Sequence, residues 1–326
     1  MKKVTVVIPN WNGMDYIRVC LDSLRKQDTD DFSVLVIDNA SEDGSDLVIE
    51  QEYPEVRLER MPENLGFAGG VNEGIRRVES PYVLLLNNDI ECDPGFVSAL
   101  TKEIEKNAKI FSVSSRMINY RERELLDDCG DIYTVLGWGA QRGVGQKVTD
   151  PVYAKPCRVF SSCAGAAIYR MSVFAEIGAF DTDHFAYLED IDVGYRAKIY
   201  GYENRYCPEA VVYHWGSGSS GAVKYSEFKV RISARNNIYL IYKNMPAFFR
   251  GLNALPLYLG RKIKRRFFVG IGFSGAYDEG IREGYEKRKT TKKVPFQWKH
   301  VGNYLKIELE LIGNTFIYTR EYLKRR

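Results

Sequence analysis

Cysteine is sparse and scattered in this chain of 326 residues. The six cysteines, at positions 20, 92, 129, 157, 163 and 207, follow no regular spacing and form no C-x-x-C pair. That excludes a zinc framework or a disulfide-stapled scaffold and fits a reducing compartment. No uncharged apolar run reaches 18 residues, so a spanning helix is not expected. Met1-Lys2-Lys3 runs directly into Val4-Thr5-Val6-Val7-Ile8, without the apolar length and small-residue cleavage site of a signal peptide. A cytoplasmic location is therefore expected. The chain also lacks a G-x-G-x-x-G turn and a G-x-x-x-x-G-K loop, which removes the dinucleotide and ATP fingerprints. It has no internal repeat, no low-complexity segment and no recognised nucleic-acid motif.

What is present is a 45% hydrophobic composition, enough for one large core or two smaller ones, and an uneven distribution of charge. The net charge of +3 conceals 18 Lys/Arg against 7 Asp/Glu from Pro246 onward, whereas the preceding 245 residues carry 28 against 36. The densest basic run, Arg261-Lys262-Ile263-Lys264-Arg265-Arg266, is flanked by Phe248-Phe249, Leu257-Tyr258-Leu259 and Phe267-Phe268-Val269. Basic residues beside aromatic and aliphatic ones are the makeup of an interfacial membrane segment, and a solvated basic helix face is the simpler alternative. Nucleic acid is not the expected partner. A second copy of the chain would suit the same helices, giving a homodimer.

The first ~245 residues alternate strand and helix. Strands are expected at Val4–Ile8, Phe32–Ile37, Val56–Leu58, Tyr82–Leu86, Ala166–Tyr169 and Tyr206–Tyr213. Helices are expected near Gly13–Arg25, Asp43–Glu50, Gly69–Val78 and Ile191–Tyr200, with loops and short strands over Asn119–Pro156. This order predicts an α/β fold with a mainly parallel central sheet, occupying residues 1–245. A helical, basic C-terminal region follows over 246–326.

Chemistry gathers where the expected strands end. Leu84-Leu85-Leu86 stops abruptly at Asn87-Asn88-Asp89, and the ends of strands in open α/β sheets are where ligands bind. A carboxylate there can hold a divalent cation whose other oxygens come from a nucleotide diphosphate. Asn-Asn-Asp is equally good turn chemistry. Pro9-Asn10-Trp11-Asn12-Gly13 follows the first strand and offers an aromatic to stack on a base. Asp38, at the end of the second strand, offers an acceptor to a base or ribose, while Ser41 to Ser45 also read as a helix cap. Glu63-Asn64-Leu65-Gly66-Phe67-Ala68-Gly69-Gly70-Val71-Asn72 is small enough to let backbone approach a ligand. Glu189, Asp190 and Asp192 crowd a helix start, where they complement the helix dipole or supply a general base. His214 ends a strand at a Gly/Ser loop, a position suited to a metal or diphosphate ligand.

Taken together, VVIPNWNG at 6–13, DNASEDGS at 38–45, ENLGFAGGVN at 63–72, LLLNND at 84–89, GAFDTDHFAYLEDIDVGYR at 178–196 and YHWGSGS at 213–219 resemble the family 2 inverting glycosyltransferases of GT-A fold, within them the rhamnosyltransferase-like branch. The resemblance covers residues 3 to 244. It implies that Pro9, Trp11 and Asp38 contact the nucleoside, with Gly66 and Asn72 lining the same pocket. The family's D-x-D falls on Asn87, Asn88 and Asp89, so the leading Asp is an Asn here. Asn87 and Asn88 would then face the donor, and Asp89 would hold Mg²⁺ or Mn²⁺ with His214 as a second contact. Asp190 is implied as the catalytic base, with Glu189 orienting the acceptor or Asp190 itself. Arg235 is implied as a diphosphate ligand, or else is a helix-surface cation.

The reaction so implied is one in-line displacement at the anomeric carbon, with inversion. The branch points to dTDP-rhamnose as donor, with UDP-sugars open. The charge split points to a glycan or polyprenyl-linked acceptor at the inner membrane face. A nucleotide-sugar-binding scaffold without catalysis and a nucleotidyltransferase are the competing classes. The retained carboxylates speak against the first, and the lack of a basic glycine-rich loop after the first strand speaks against the second.

Overall fold

The computed structural model describes residues 2–216 and 225–324. Strand β1 (Val4–Asn10) sends Val4, Val6 and Ile8 to one face of the sheet and Val7 to the other, the two-residue alternation of an extended chain. β2 (Phe32–Asp38) and β4 (Tyr82–Leu86) pair with β1 in parallel, and β3 (Arg57–Arg60) pairs with β2. Parallel neighbours require crossovers. These are α1 (Ile17–Arg25), α2 (Ser45–Glu52) and α3 (Gly66–Arg76), one between each successive pair of these strands.

After β5 (Ile90–Cys92) come α4 (Phe96–Glu105) and β6 (Ile110–Asn119), in a stretch that the alternation read from sequence does not mark. Three short strands follow: β7 (Leu126–Asp128), β8 (Asp131–Tyr133) and β9 (Gly139–Gln141). These are the expected excursion of loops and short strands. Then come β10 (Cys157–Val159), β11 (Ala166–Arg170), α5 (Met171–Ile177), α6 (Glu189–Ile199) and β12 (Glu203–His214). The main sheet runs β10-β12-β6-β11-β4-β1-β2-β3, with β5 added to β12 and β7 to β6, while β8 and β9 form a separate hairpin. β11 is antiparallel to both β4 and β6, so it interrupts the parallel order at the middle of the sheet.

Both faces of the sheet are covered, which is why its central strands read as continuous apolar runs. Ile17, Cys20, Leu21 and Leu24 of α1 and Phe96, Val97, Leu100 and Ile104 of α4 pack with Val6, Leu84 and Ile168 on one side. Val71 and Ile75 of α3, Phe174 of α5 and Val193 of α6 pack with Val7, Leu85 and Tyr169 on the other. Each fully buried large side chain contributes ~1.5–3 kcal/mol relative to exposure.

The chain continues through α7 (Glu227–Asn244), α8 (Ala247–Leu252), α9 (Ala254–Gly270), α10 (Ser274–Lys287) and α11 (Val301–Lys324). These helices do not stand apart. Phe249, Leu257, Tyr304, Ile307 and Leu311 share one apolar cluster with Tyr133, Phe160, Ile191 and Tyr195. Gly260 of α9 lies so close to the Leu136 carbonyl that a Cβ would sit 2.1 Å from its oxygen. Among the described residues, no helix is long and apolar enough to cross a membrane.

Candidate active site

Three strand ends are tied together by amides and a carboxylate. Asn10 Nδ2 donates to Asp38 Oδ1 at 2.9 Å and to Ser45 Oγ at 2.9 Å, and Asn88 Nδ2 donates to Asn10 Oδ1 at 2.8 Å. Asp38 also accepts from Ser41 N at 3.0 Å and Ser41 Oγ at 2.6 Å. Asn10, Asp38 and Asn88 are all buried, so the parallel strands β2, β1 and β4 are locked in register at their C-terminal ends. A Cβ on Gly13 would stand 2.2 Å from Asn10 Oδ1, so only glycine lets the loop after β1 close over this network. Sequence reading assigned Asp38 and Asn88 to the donor; both spend hydrogen-bonding groups on this internal network. Trp11 stands exposed on the loop, beside half-buried Pro9, with its ring open to a stacking partner. Asn87 is half-buried, and its backbone N–H donates to Gly165 O at 2.7 Å across the sheet.

Asp89 and His214 are 125 positions apart in sequence and adjacent in space. β5 pairs antiparallel with β12 in a register that sets Ile90 opposite His214, and His214 Nε2 lies 3.4 Å from Asp89 Oδ1. The other ring nitrogen, Nδ1, meets Asp127 Oδ2 at 2.6 Å. Burial alone would drive the imidazole towards neutrality, but the bonds to Asp127 and Asp89 push it up to about 10. Trp215, stacked on Tyr120 at 3.7 Å between ring centroids and donating its backbone N–H to Asp89 O at 3.1 Å, fixes this end of β12. Ser217, Gly218 and Ser219 of the same sequence motif lie outside the described residues.

The donor set of this pair fits a divalent cation. One carboxylate and one imidazole face each other across a gap that an ion can bridge. Asp127 orients the ring so that Nε2 points at Asp89, the arrangement found behind metal-ligating histidines. Binding would expel the Nε2 proton and leave the Nδ1 proton on the Asp127 hydrogen bond.

Asp190 is the second residue of α6, with its Oδ1 accepting from the Ile191 N–H at 2.7 Å. Burial raises its carboxyl to about 6, with backbone bonds from Ile191 and Ala164 holding it from going further. Buried Glu189, with Oε2 lacking a hydrogen-bond partner among the described residues, is raised well above the usual carboxylate range by burial and by Asp190. Asp128 and Asp131 are likewise pushed well up, by burial first and then by neighbouring carboxylates that include Asp190. Carboxyl groups in one field cannot all ionise, and unequal environments sort them into acids and bases. Asp190 is raised to about 6, while burial and neighbouring carboxylates favour the neutral forms of Glu189, Asp128 and Asp131. Sequence reading missed Asp127, Asp128 and Asp131. The signal was present, since Asp127-Asp128-Cys129-Gly130-Asp131 puts three carboxylates in five residues of an otherwise loop-like stretch.

The segment leading to Asp190 is held in conformations that ordinary residues rarely adopt. Phe185, Tyr187 and Leu188 have φ of 62°, 70° and 69°. Such a run persists only where the surroundings impose it. Asn236 of α7 imposes it by donating to the carbonyls of His184, Ala186 and Tyr187, each at 2.8 Å. Arg235 joins in, its guanidinium 3.2 Å from the Asp183 and His184 carbonyls. Arg235, which the resemblance implied as a diphosphate ligand, is therefore no free surface cation but is bonded to this turn. From α3, Ala68 N donates to Phe185 O at 3.2 Å, and the Phe185 ring covers Gly66, whose φ is +70°. Asn72 spends both ends of its amide on Phe180, donating to O at 2.7 Å and accepting from N at 3.0 Å. Gly66 and Asn72 thus support the segment that leads to Asp190.

Below it lies a second charged group. Ligand atoms of Asp181, His184 and Asp192 lie within 4.8 Å of one another. A cation already sits there: Lys243 Nζ is 2.6 Å from Asp181 Oδ2 and 2.9 Å from Asp192 Oδ2. Arg196 pairs with Asp192 at 2.9 Å and Asn244 donates to it at 2.7 Å. Burial works against the Asp192 charge, but Arg196 and Lys243 outweigh it and hold the carboxyl well below its usual range.

Comparison with known proteins identifies the family and the fold. The family model described as Glycosyl transferase family 2 matches residues 5–178. The N-acetylglucosaminyl-diphospho-decaprenol L-rhamnosyltransferase of Mycobacterium tuberculosis is 27% identical over 212 residues, covering 58% of this chain and 68% of that protein. Among solved structures, S. aureus TarS 1-349 in complex with UDP-GlcNAc superposes with a TM-score of 0.57 at 16% identity, covering 89% of this chain and 84% of that one. The mannosyltransferase PcManGT from Pyrobaculum calidifontis, in complex with GDP-Man and Mn²⁺, gives 0.54 at 15% identity over 99% and 85%. GalNAc-T7 with UDP, GalNAc and Mn²⁺ gives 0.59 at 16% identity; this chain covers 48% of its length.

Proposed function

The chain belongs to glycosyl transferase family 2, and from that premise we propose that it is an inverting, metal-assisted glycosyltransferase of GT-A fold that builds cell-surface polysaccharide on a lipid-linked acceptor. The observation that carries the reading is the meeting of Asp89 and His214 at the C-terminal edge of the sheet, on the side where Asp38 also ends its strand. L-rhamnose from dTDP-rhamnose is the proposed donor, supported by the mycobacterial relative named above. UDP-sugars are the alternative, supported by the UDP-GlcNAc held by TarS 1-349.

In this reading residues 1–245 form the catalytic domain. Trp11 stacks on the base, and the network around Asn10 holds the loops that frame it. Asp190 accepts the proton of the acceptor hydroxyl as its oxygen attacks the anomeric carbon, and the diphosphate leaves from the opposite face with inversion. A base near 6 is ionised at neutral pH and still able to take a proton as charge develops. Glu189 beside it, whose neutral form burial and Asp190 favour, is placed to orient the acceptor or Asp190 itself. Asp89 and His214 would hold Mg²⁺ or Mn²⁺, which supplies Lewis-acid stabilisation of the departing diphosphate. Residues 246–326 make the peripheral membrane contact, with their basic charge towards acidic lipid.

Calorimetry with dTDP-rhamnose and with UDP-sugars, each in Mn²⁺ and in EDTA, tests this. Binding of one donor that weakens in EDTA is expected. Binding indifferent to EDTA would remove the metal from Asp89 and His214. A folded chain that binds no nucleotide sugar would overturn the transferase reading.

A further inference from the structure

Where α7, α8, α9 and α10 meet, they enclose a cavity of about 410 Å³ on the basic side of the molecule. Its lining includes Arg250, Arg261, Arg288 and Lys289 together with Tyr242 and Tyr285. No ion pair among the described residues engages any of these four cations. Elsewhere on the same helices, Arg231 meets Glu283, Arg265 meets Asp278 and Lys287 meets Asp183. The three arginines of the cavity instead lie against aromatic faces, and Arg250 also donates to the Met245 carbonyl at 2.7 Å. Arg288 lies 4.5 Å from the Tyr285 ring centroid, and Arg250 lies 4.9 Å from that of Tyr242. Lys293 adds a further charge over Tyr242 at 4.3 Å. Stacking on a ring fixes a guanidinium without neutralising it, so the cavity keeps a concentrated positive field.

Two neighbouring features identify what would fill it. Phe248, Leu252, Leu255, Leu259 and Ile263 are large apolar residues left exposed along α8 and α9, at spacings of three and four that keep them together on one face. An exposed apolar stripe beside unpaired cations is the surface of a helix lying in a lipid interface. On its inner side, α9 touches the catalytic segment through the β8–β9 hairpin. Trp138 Nε1 donates to Gly260 O at 3.1 Å, and Gly139 packs directly against Leu188 and Ile191, the neighbours of Glu189 and Asp190.

We propose that this cavity is a binding site for the phosphate or diphosphate group of a membrane lipid, held by Arg250, Arg261 and Arg288. It rests on the membrane contact proposed above and deepens it from a charged surface to a built pocket. A headgroup seated there sits one hairpin away from the base, with its acyl or prenyl chains directed along the apolar stripe into the bilayer. The guanidinium groups suit a phosphoryl oxygen because each offers two parallel donors.

The test uses the full chain and two pairs of substitutions of equal charge change. In Arg261→Gln/Arg288→Gln the cavity loses two cations. In Lys262→Gln/Arg266→Gln two exposed cations outside it are removed. Binding to mixed phosphatidylcholine–phosphatidic acid vesicles is measured by cosedimentation, and binding of inorganic pyrophosphate in EDTA by calorimetry. The cavity pair should bind acidic vesicles more than about 30-fold more weakly than the unaltered chain, exceeding the roughly fivefold per cation that diffuse attraction to an acidic surface supplies anywhere on it. The outer pair should lose clearly less, and pyrophosphate should compete with vesicles for the unaltered chain. Equal loss in both pairs, or no binding of either probe, would overturn the site. Pyrophosphate binding that depends on Arg261 and Arg288, with vesicle binding unchanged, would overturn the lipid source in favour of a soluble phosphate. Nucleotide-sugar calorimetry on the same variants keeps the two readings apart, because none of Trp11, Asp38, Asp89 and His214 lines the cavity and donor binding should be unaffected.

Discussion

Asn236 Nδ2 donates to the Tyr187 carbonyl at 2.8 Å, joining α7 to the segment that ends in the Glu189–Asp190 pair. The same amide nitrogen lies 2.8 Å from the His184 and Ala186 carbonyls, so its two N–H groups are shared among three oxygens of a strained turn. Asn236→Ala should free that turn and lower kcat by ~10²-fold through misplacement of the base. Donor affinity by calorimetry should be unchanged. A parallel loss of donor binding would mean that the turn shapes the nucleotide pocket instead.

Asp190→Asn should cut turnover by ~10²-fold or more with the donor still bound. A folded variant of near-normal turnover would remove Asp190 as the base. In the unaltered chain, kcat/KM should fall with unit slope as pH drops below about 6, where Asp190 takes up a proton. The limb should vanish in the residual activity of the variant.

Asp127→Asn keeps the size of the side chain and removes the charge that orients His214. Mn²⁺ affinity, followed by paramagnetic resonance in the presence of nucleoside diphosphate, should weaken by ~10–100-fold. Asp89→Ala should abolish it. Unchanged Mn²⁺ binding in both variants would place the ion elsewhere.

Asp192→Ala leaves Arg196 and Lys243 without the carboxylate that both meet, and it should destabilise the fold by ~3–5 kcal/mol in urea unfolding. The Asp192 carboxyl is lower in the folded chain than in the unfolded one. Its contribution is therefore complete above the unfolded value of about 3.9 and is lost as pH falls below it. Stability of the unaltered chain should drop more steeply in acid than that of Asp192→Asn; identical pH profiles would show that the pair contributes nothing.

Much of the architecture was legible in the linear pattern. Val4–Ile8, Phe32–Ile37 and Tyr82–Leu86 are apolar because both faces of their strands are covered, and each stops where polar residues begin. The expected helix over 13–25 starts later, at Ile17, because Gly13 to Tyr16 form a turn beneath Asn10 and Asn88. The helix over 69–78 starts earlier, at Gly66, where a positive φ admits the chain under Phe185. Strand β6 and helix α4 escaped notice. The serines of β6, Ser112, Ser114 and Ser115, blur its apolar run, and they are nonetheless buried at the centre of the sheet.

The sequence by itself determined the order of elements, the polar residues at the strand ends and the basic character of the C-terminal helices, since these depend on local periodicity and composition. Only the tertiary structure decided which of those polar groups face each other. The β5–β12 register brought His214 to Asp89, the pairing of β6 with both β12 and β7 brought it to Asp127, and the packing of α7 turned Arg235 and Asn236 onto the turn before Asp190. Burial then separated Asp190 from the carboxyl groups around it. Pairing register, desolvation and mutual charge are properties of positions in space, and residues far apart in the chain acquire them only when the sheet closes.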